Sequence, residues 1–572
     1  MAVQSWKTVE VMAGYNANKT RLYAAIAAIL VSNFMTALDS SFSSSAHVAI
    51  ASHFHKTNVA SWPVTAFLIC SITTQPLYAS LSDFIGRRII FLSCATLFLV
   101  GITLSVIAPS WVFLILARCI CGLAASGLMV MGSVVLTDMV GVKKRGYYQS
   151  INYVNFGTGS ALGSVAGGAI VERFGWRWLY MVVCPKFHLI MRLKADLIWY
   201  TFQIQVPFCI ITLSMVYFFV PSNTENMSTE ETNFPLDLRQ LLHTFDWKGA
   251  LFLVLVLGLL MFVLGAAGNV VPWTNPFILL ASALFPFMVY LLARAEVDAA
   301  KPILPPILAG FPFRNIMMNA FLLSMINYII MYNATFFFQS VLVESATLAS
   351  THLVVPSIAF TLISAISGTA IARLETPKPT LQLSQFLLLG GAACLLLMPT
   401  LLPSLQTPGV VYSLCLAMPI LGVGMMAPSA LLLLLGMSNR ENHATMNGGF
   451  IMMRSLGGFT ATSVSTTVVQ NIFQRTMRPY MVNVEAREKI NLARLNIDSL
   501  RTLEEPLRGQ VIHAYKTGFT ALFGLIALLS ILIFIGFIGV TNQRAENVTH
   551  DGTGYEPITE MEEVRSDTGS GA

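Results

Sequence analysis

Long apolar stretches separated by short polar ones dominate the chain. A helix that crosses the hydrocarbon core needs about 20 mostly apolar residues. Roughly fourteen runs meet that demand: 22–46, 60–81, 89–108, 111–136, 149–171, 204–220, 249–267, 273–293, 315–342, 351–372, 383–402, 410–437, 446–470 and 517–540. Three of them, 60–81, 149–171 and 446–470, are rich in Ser, Thr and Gly, which suits helices packed closely on other helices. The pattern lapses into polar chain over 221–248 and into Pro-rich chain over 295–314. The segment 471–516 has apolar residues at helical spacing among eight basic ones, and predicts an amphipathic stretch lying on the membrane surface. An even number of crossings puts both termini on one side.

Composition agrees with this pattern. Only 11% of the 572 residues are charged, against about 25% in an ordinary soluble domain, and mean hydropathy is +0.69. A soluble enzyme, a nucleic-acid binder and a disordered scaffold are all excluded. The eight cysteines form no Cys-x-x-Cys pair and no Cys/His zinc spacing, so no metal or other cofactor is expected. Lys and Arg decide the orientation. With a cytosolic N-terminus, 18 basic residues fall in the cytosolic segments, and only Lys56, Arg173 and Arg177 fall in short loops opposite. The basic segment 471–516 and a stretch after Trp178 run against this trend.

Charges inside the apolar runs carry the chemistry. Asp39 stands in the first run, within Thr36-Ala-Leu-Asp39-Ser-Ser-Phe42, and Arg118 in the fourth. A cation at that depth costs about 2.5–3.5 kcal/mol on insertion scales, so each needs a partner or a wet cavity. Asp39 reads either as a carboxylate facing a cavity or as a helix-ending cap before the serine-rich stretch that follows. Arg454 is a second intramembrane arginine; it either pairs with a carboxylate or lines the pathway. Asn333 and Gln339 are amides in an apolar helix, suited to contact substrate or to bond a neighbouring helix. The loop Ala79-Ser-Leu-Ser-Asp83-Phe-Ile-Gly86-Arg87-Arg88 combines a turn glycine, an acid able to cap or pair and two arginines for an anionic surface. In the fifth run Gly159, Gly163 and Gly167, with Gly168, form a face that lets backbones touch.

These strings resemble the major facilitator superfamily. The 79–88 loop is similar to its loop between helices 2 and 3, with Ala79 in place of the usual first glycine. Arg118, four residues before Gly122, is similar to the superfamily's helix-4 arginine, often tied to proton coupling. The glycine face is similar to its antiporter motif, with Ser164 where the pattern has proline. Leu38-Asp39 resembles the motif of the fourteen-helix drug:proton antiporter branch. Sharper strings include Arg145-Gly-Tyr-Tyr-Gln149, Gly175-Trp-Arg-Trp178, Asn333-Ala-Thr-Phe-Phe-Phe-Gln339 and Arg454-Ser-Leu-Gly457. Together they are similar to the fungal vacuolar basic amino acid transporters, over residues 20–540.

The resemblance implies an all-α integral membrane protein of the major facilitator fold. A cytosolic tail, 1–21, would precede an N-terminal six-helix bundle, 22–220. A linker, 221–248, an extra helix pair, 249–294, and a second linker, 295–314, would follow. A C-terminal bundle, 315–540, would include the loop 471–516, and an acidic cytosolic tail, 541–572, would end the chain. Function would be proton-coupled antiport of basic amino acids into the vacuole. The alternatives are drug or toxin efflux at the plasma membrane and, more remotely, a nutrient receptor that moves nothing. Asp39 and Arg118 would couple proton and substrate, and Asn333, Gln339 and Arg454 would line the pathway. The partners expected are a small cationic substrate, protons and lipid, with the protein acting as a monomer.

Residues 183–203 break the resemblance. Relatives run almost directly from Trp-Arg-Trp to Gln-x-Pro, whereas here 21 residues intervene. Val183-Cys184 can be encoded GTATGT, Ala195-Asp196 can contain CTGAC, and Phe202-Gln203 can be TTTCAG. These are donor-like, branch-like and acceptor-like strings, in a segment whose length suits a fungal intron. We read it as translated intron, with a genuine loop insertion as the other reading. No His-Glu-x-x-His, Gly-x-Ser-x-Gly or phosphate loop points to an enzyme.

Overall fold

The computed structural model describes residues 19–54, 62–140, 142–174, 205–220, 246–266, 274–299, 303, 310–344, 346–374, 376–401, 409–438, 443–480, 490 and 504–547. The suspected insert, 183–203, lies outside them. Among the described residues there is no strand. Fourteen long helices account for the architecture: α1 (Lys19–His53), α2 (Trp62–Ile85), α3 (Arg87–Val106), α4 (Trp111–Met139), α5 (Val142–Phe174), α6 (Gln205–Phe219), α7 (Trp247–Ala266), α8 (Pro276–Asp298), α9 (Phe313–Val341), α10 (Val354–Leu374), α11 (Lys378–Leu401), α12 (Gly409–Gly436), α13 (His443–Met477) and α14 (Leu507–Asn547). One further turn of helix, Ala346–Thr351, joins α9 to α10.

Among the described residues eleven of these helices are long and apolar enough to cross a membrane. The exceptions are instructive. α5 and α13 are long but carry many Ser, Thr, Gly and Asn residues, because both are buried between other helices. α6 is described over 15 residues only. Most of the stretch 481–503, at the centre of the amphipathic segment expected over 471–516, lies outside the described residues. The first residues of that segment continue α13 to Met477, and α14 already begins at Leu507.

Helix contacts sort the chain into two six-helix bundles with the same wiring. In the first, α1 packs on α5, α2 on α4, α3 on α4, and α6 on α1 and α3. In the second, α9 packs on α13, α10 on α12, α11 on α12, and α14 on α9 and α11. Adding eight to each helix number converts one set into the other, the mark of a duplicated unit. The contacts between bundles obey the same rule, α5 on α10 and α13 on α2. α7 and α8 pack on each other, and α7 also touches α2 and α13. On α8 only Ile278, Ala281 and Glu296 are buried, so this helix presents most of its apolar side chains outward, as a lipid-facing helix does.

Because the crossings alternate, α1 begins and α14 ends on one side, the first face. The bundles meet through small residues. A Cβ on Gly368 of α10 would strike Ser150 and the Gly146 carbonyl of α5, and one on Gly448 of α13 would strike Ala79 of α2. All four helices carry these contacts in their first-face halves. Buried hydrogen bonds lie at the same level. Ser133 of α4 accepts from Asn447 Nδ2 of α13 at 2.8 Å and from Gln149 Nε2 of α5 at 2.9 Å. The bundles are therefore closed toward the first face.

Candidate functional site

Asp39 is fully buried and Arg118 is 4% exposed. The serine-rich stretch after Asp39 does not end the helix, since α1 runs on to His53, so Asp39 is no cap. Arg118 donates from Nη1 to Asp39 Oδ1 at 3.1 Å and from Nη2 to Oδ2 at 2.9 Å. This is the two-pronged geometry in which guanidinium and carboxylate bind most strongly. The Phe67 ring of α2 lies 4.8 Å below the same guanidinium, adding a cation–π contact. Two charges that were each expensive alone in an apolar run thus neutralise each other, and they bridge α1 to α4. Arg118 lies seven residues from the start of α4, about 10 Å along it, in the half of the bundle away from the first face.

The glycine face of α5 closes on the segment of α1 that carries Asp39. A Cβ on Gly159 would meet the Phe34 carbonyl at 2.8 Å, and one on Gly163 would meet the Leu38 carbonyl at 2.9 Å and Ser41 at 2.8 Å. Leu38 and Ser41 flank Asp39. Ser41 and Ser160 share a hydroxyl hydrogen bond of 2.8 Å across the same seam. Gly167 and Gly168 lie further along α5, and their packing falls outside the described residues.

The hairpin loop forms a separate cluster on the first face. Gly86 has φ of 101°, a backbone conformation that side chains resist, so the turn between α2 and α3 requires glycine. Arg87 pairs with Asp83 at 2.5 Å and with Asp138 of α4 at 3.2 Å, and donates to Ser82 Oγ at 2.7 Å. Arg88 donates to the Tyr217 carbonyl of α6 and lies over its ring at 5.0 Å. The loop therefore ties α2 and α3 to α4 and α6. Asp138, in the last turn of α4, was not singled out from the sequence.

The remaining pathway residues do not join Asp39. Asn333 is buried in α9 and donates to the Ile329 carbonyl of its own helix at 2.9 Å. Gln339 is half-buried near the far end of α9. Arg454 of α13 is half-buried, and its guanidinium lies 4.7 Å over the Tyr153 ring of α5. Nearby Gln75 Nε2 of α2 donates to Ser455 Oγ at 3.0 Å, and Asn33 Nδ2 of α1 to Asn152 Oδ1 at 2.7 Å. Sequence reading missed these amides; a Gln or Asn inside an apolar run was the available signal. Among the described residues no group of three His, Cys, Asp or Glu side chains is placed to hold a metal.

Residues 29–191 match the family model of the Major Facilitator Superfamily. That stretch carries the superfamily's domain. Curated relatives extend the likeness over nearly the whole chain. The multidrug resistance protein fnx1 of Schizosaccharomyces pombe is 27% identical, across 89% of this chain and 90% of its own. The vacuolar basic amino acid transporter 2 of Saccharomyces cerevisiae is 24% identical, across 79% and 91%. Among solved structures, the human organic anion transporter MFSD10 (TETRAN) shares the fold with a TM-score of 0.53, at 14% identity, over 89% of this chain and 99% of its own. The chain is thus a multi-pass membrane protein, and its matched family and its relatives are transporters, not enzymes.

Proposed function

We propose that this transporter exchanges protons for basic amino acids and loads them from the cytosol into the vacuole, with both termini cytosolic. The first face is then the cytosolic face, and the structure corresponds to a state closed toward the cytosol. The observation that carries the reading is the buried Asp39–Arg118 pair. A carboxylate in that position serves one cation at a time: the Arg118 guanidinium, a proton or the cationic group of a substrate. A proton arriving from an acidic lumen neutralises Asp39 and frees whichever cation it holds, Arg118 or the substrate. Loss of the proton toward the cytosol restores the negative charge. Mutual exclusion at one carboxylate is the simplest basis for exchange. The Gly159–Gly163 seam presses α5 against the segment carrying Asp39, so a change at the carboxylate is felt by a helix that also touches the other bundle. Rocking of the two bundles would then alternate access.

The substrate class rests on likeness to the Saccharomyces cerevisiae vacuolar basic amino acid transporter and on the local strings shared with that group. A second reading, drug efflux within the fourteen-helix branch, is favoured by the likeness to the Schizosaccharomyces pombe multidrug resistance protein. Uptake of labelled arginine and of a cationic dye into vacuolar membrane vesicles, with an imposed proton gradient, separates them. Arginine uptake driven by the gradient is expected, and Asp39→Asn is expected to abolish it while the protein still folds. Gradient-driven uptake by Asp39→Asn overturns the role of Asp39; dye uptake without arginine uptake overturns the substrate class.

A further inference from the structure

Of the two arginines singled out within the apolar runs, Arg118 pairs with an acid, whereas half-buried Arg454 makes no ion pair among the described residues. Arg454 lies eleven residues into α13, about 16 Å from its first-face end, where α13 meets α2 and α5. Its guanidinium carbon lies 4.7 Å from the centre of the Tyr153 ring. Its Nε is buried and has no hydrogen-bond partner. Two acceptors in the neighbouring polar contacts share that condition. Gln75 Oε1 is unpartnered although the other end of the amide holds Ser455, the residue after Arg454. Asn33 Oδ1 is unpartnered although its amide nitrogen holds Asn152, the residue before Tyr153. Buried polar groups are ordinarily satisfied. Here one cationic donor and two neutral acceptors are left open, among the described residues, on α13, α2 and α1.

We propose that these groups recognise the α-amino-acid moiety of the substrate. The carboxylate binds the Arg454 guanidinium, and the ammonium donates to the Gln75 and Asn33 amide oxygens. A guanidinium matches a carboxylate in both charge and shape, and an ammonium has donors only, so the set of open groups is complementary to a zwitterionic head. It is also hostile to a cation that has no carboxylate, because Arg454 would then face like charge; rejection of this kind is how specificity is commonly built. The helices involved come from both bundles, so a bound head group links them across the interface. The inference rests on the basic amino acid reading above, and it gives that reading a chemical basis that likeness to relatives does not.

The test compares arginine with agmatine, which is arginine without its carboxylate. Both are offered as labelled probes to vesicles holding the full-length protein, wild type or Arg454→Gln, under the same proton gradient. The wild type is expected to take up arginine at least about tenfold better than agmatine at low concentration, as expected when a polar site loses its partner. Arg454→Gln is expected to bring arginine down to the level of agmatine and to leave agmatine uptake unchanged or raised. Arg454→Lys, which keeps the charge but not the fork, should retain part of the preference and provides the comparison if Arg454→Gln fails to fold. Gln75→Leu should lower both probes, since both carry the ammonium. Equal loss of both probes in Arg454→Gln means that the arginine only clips α13 to α5 and overturns the proposal. Wild-type protein that takes up agmatine as readily as arginine overturns it too, while leaving cation transport intact. Wild-type protein that moves neither arginine nor lysine overturns the underlying reading and this proposal with it.

Discussion

Removing one member of a buried ion pair leaves the other as an uncompensated charge, which typically costs about 3–5 kcal/mol, whereas replacing both with apolar residues of similar volume is often neutral. Asp39 and Arg118 fit this case, being almost wholly inaccessible and joined by two hydrogen bonds. Asp39→Ala alone is expected to destabilise the protein by about that amount. The double variant Asp39→Ala/Arg118→Met should recover most of the loss without recovering transport. Thermal melting in detergent, alongside vesicle uptake, checks both halves, and a double variant as unstable as the single one would argue against a compensating pair. Each charge was conspicuous in the sequence because an isolated ion in an apolar run demands a partner. The pairing itself was not, since the two lie 79 residues apart and no periodicity connects them. Arg454 was equally visible, and what remained hidden was that among the described residues no acid pairs with it.

At the scale of helices, sequence pattern located all fourteen, including the three whose Ser, Thr and Gly content weakened the hydropathy signal. What pattern did not supply was the partner of the α5 glycine face. Gly159 and Gly163 press on backbone carbonyls of α1, not on flexible side-chain ends, so a larger residue there must push the helices apart. Gly163→Val is expected to reduce proton-driven uptake by an order of magnitude or more, because over-packing a close seam typically costs about 1–3 kcal/mol and this seam flanks Asp39. Gly258 of α7 is the control: a Cβ there meets nothing within 4 Å. Gly258→Ala should leave uptake unchanged and favour the helix by up to about 1 kcal/mol. Parallel uptake and melting measurements distinguish a local seam effect from a general intolerance of glycine replacement. The segment 183–203 poses a separate question that nucleic acid answers. Sequencing the mature transcript is expected to show those 21 codons removed, joining the fifth and sixth crossings by a short turn. A dominant message that retains them would make the segment a genuine loop.

The whole molecule repeats one six-helix wiring, and the two halves meet through equivalent helices, α5 with α10 and α13 with α2. Sequence carried only a faint trace of this duplication, in the weak echo of the first hairpin around Gly368 and Arg373, because packing geometry survives divergence that side-chain identity does not. Small residues at the seam, Gly146, Gly368, Ala79 and Gly448, let the bundles touch on the first-face side. The buried Ser133–Gln149–Asn447 cluster supplies polar contacts there. If transport requires the bundles to rock, this seam has to part in every cycle. A bond that prevents parting should stop transport without unfolding anything. Ser133 and Asn447 belong to different bundles and already touch through their side chains, so Ser133→Cys/Asn447→Cys is placed to form a disulfide under a mild oxidant. Oxidation is expected to abolish arginine uptake, and a reductant should restore it to the level of the unoxidised double variant. Each single variant, treated identically, should be unaffected, which accounts for the native cysteines. Full cross-linking with undiminished uptake would show that the two bundles carry substrate without opening toward the first face.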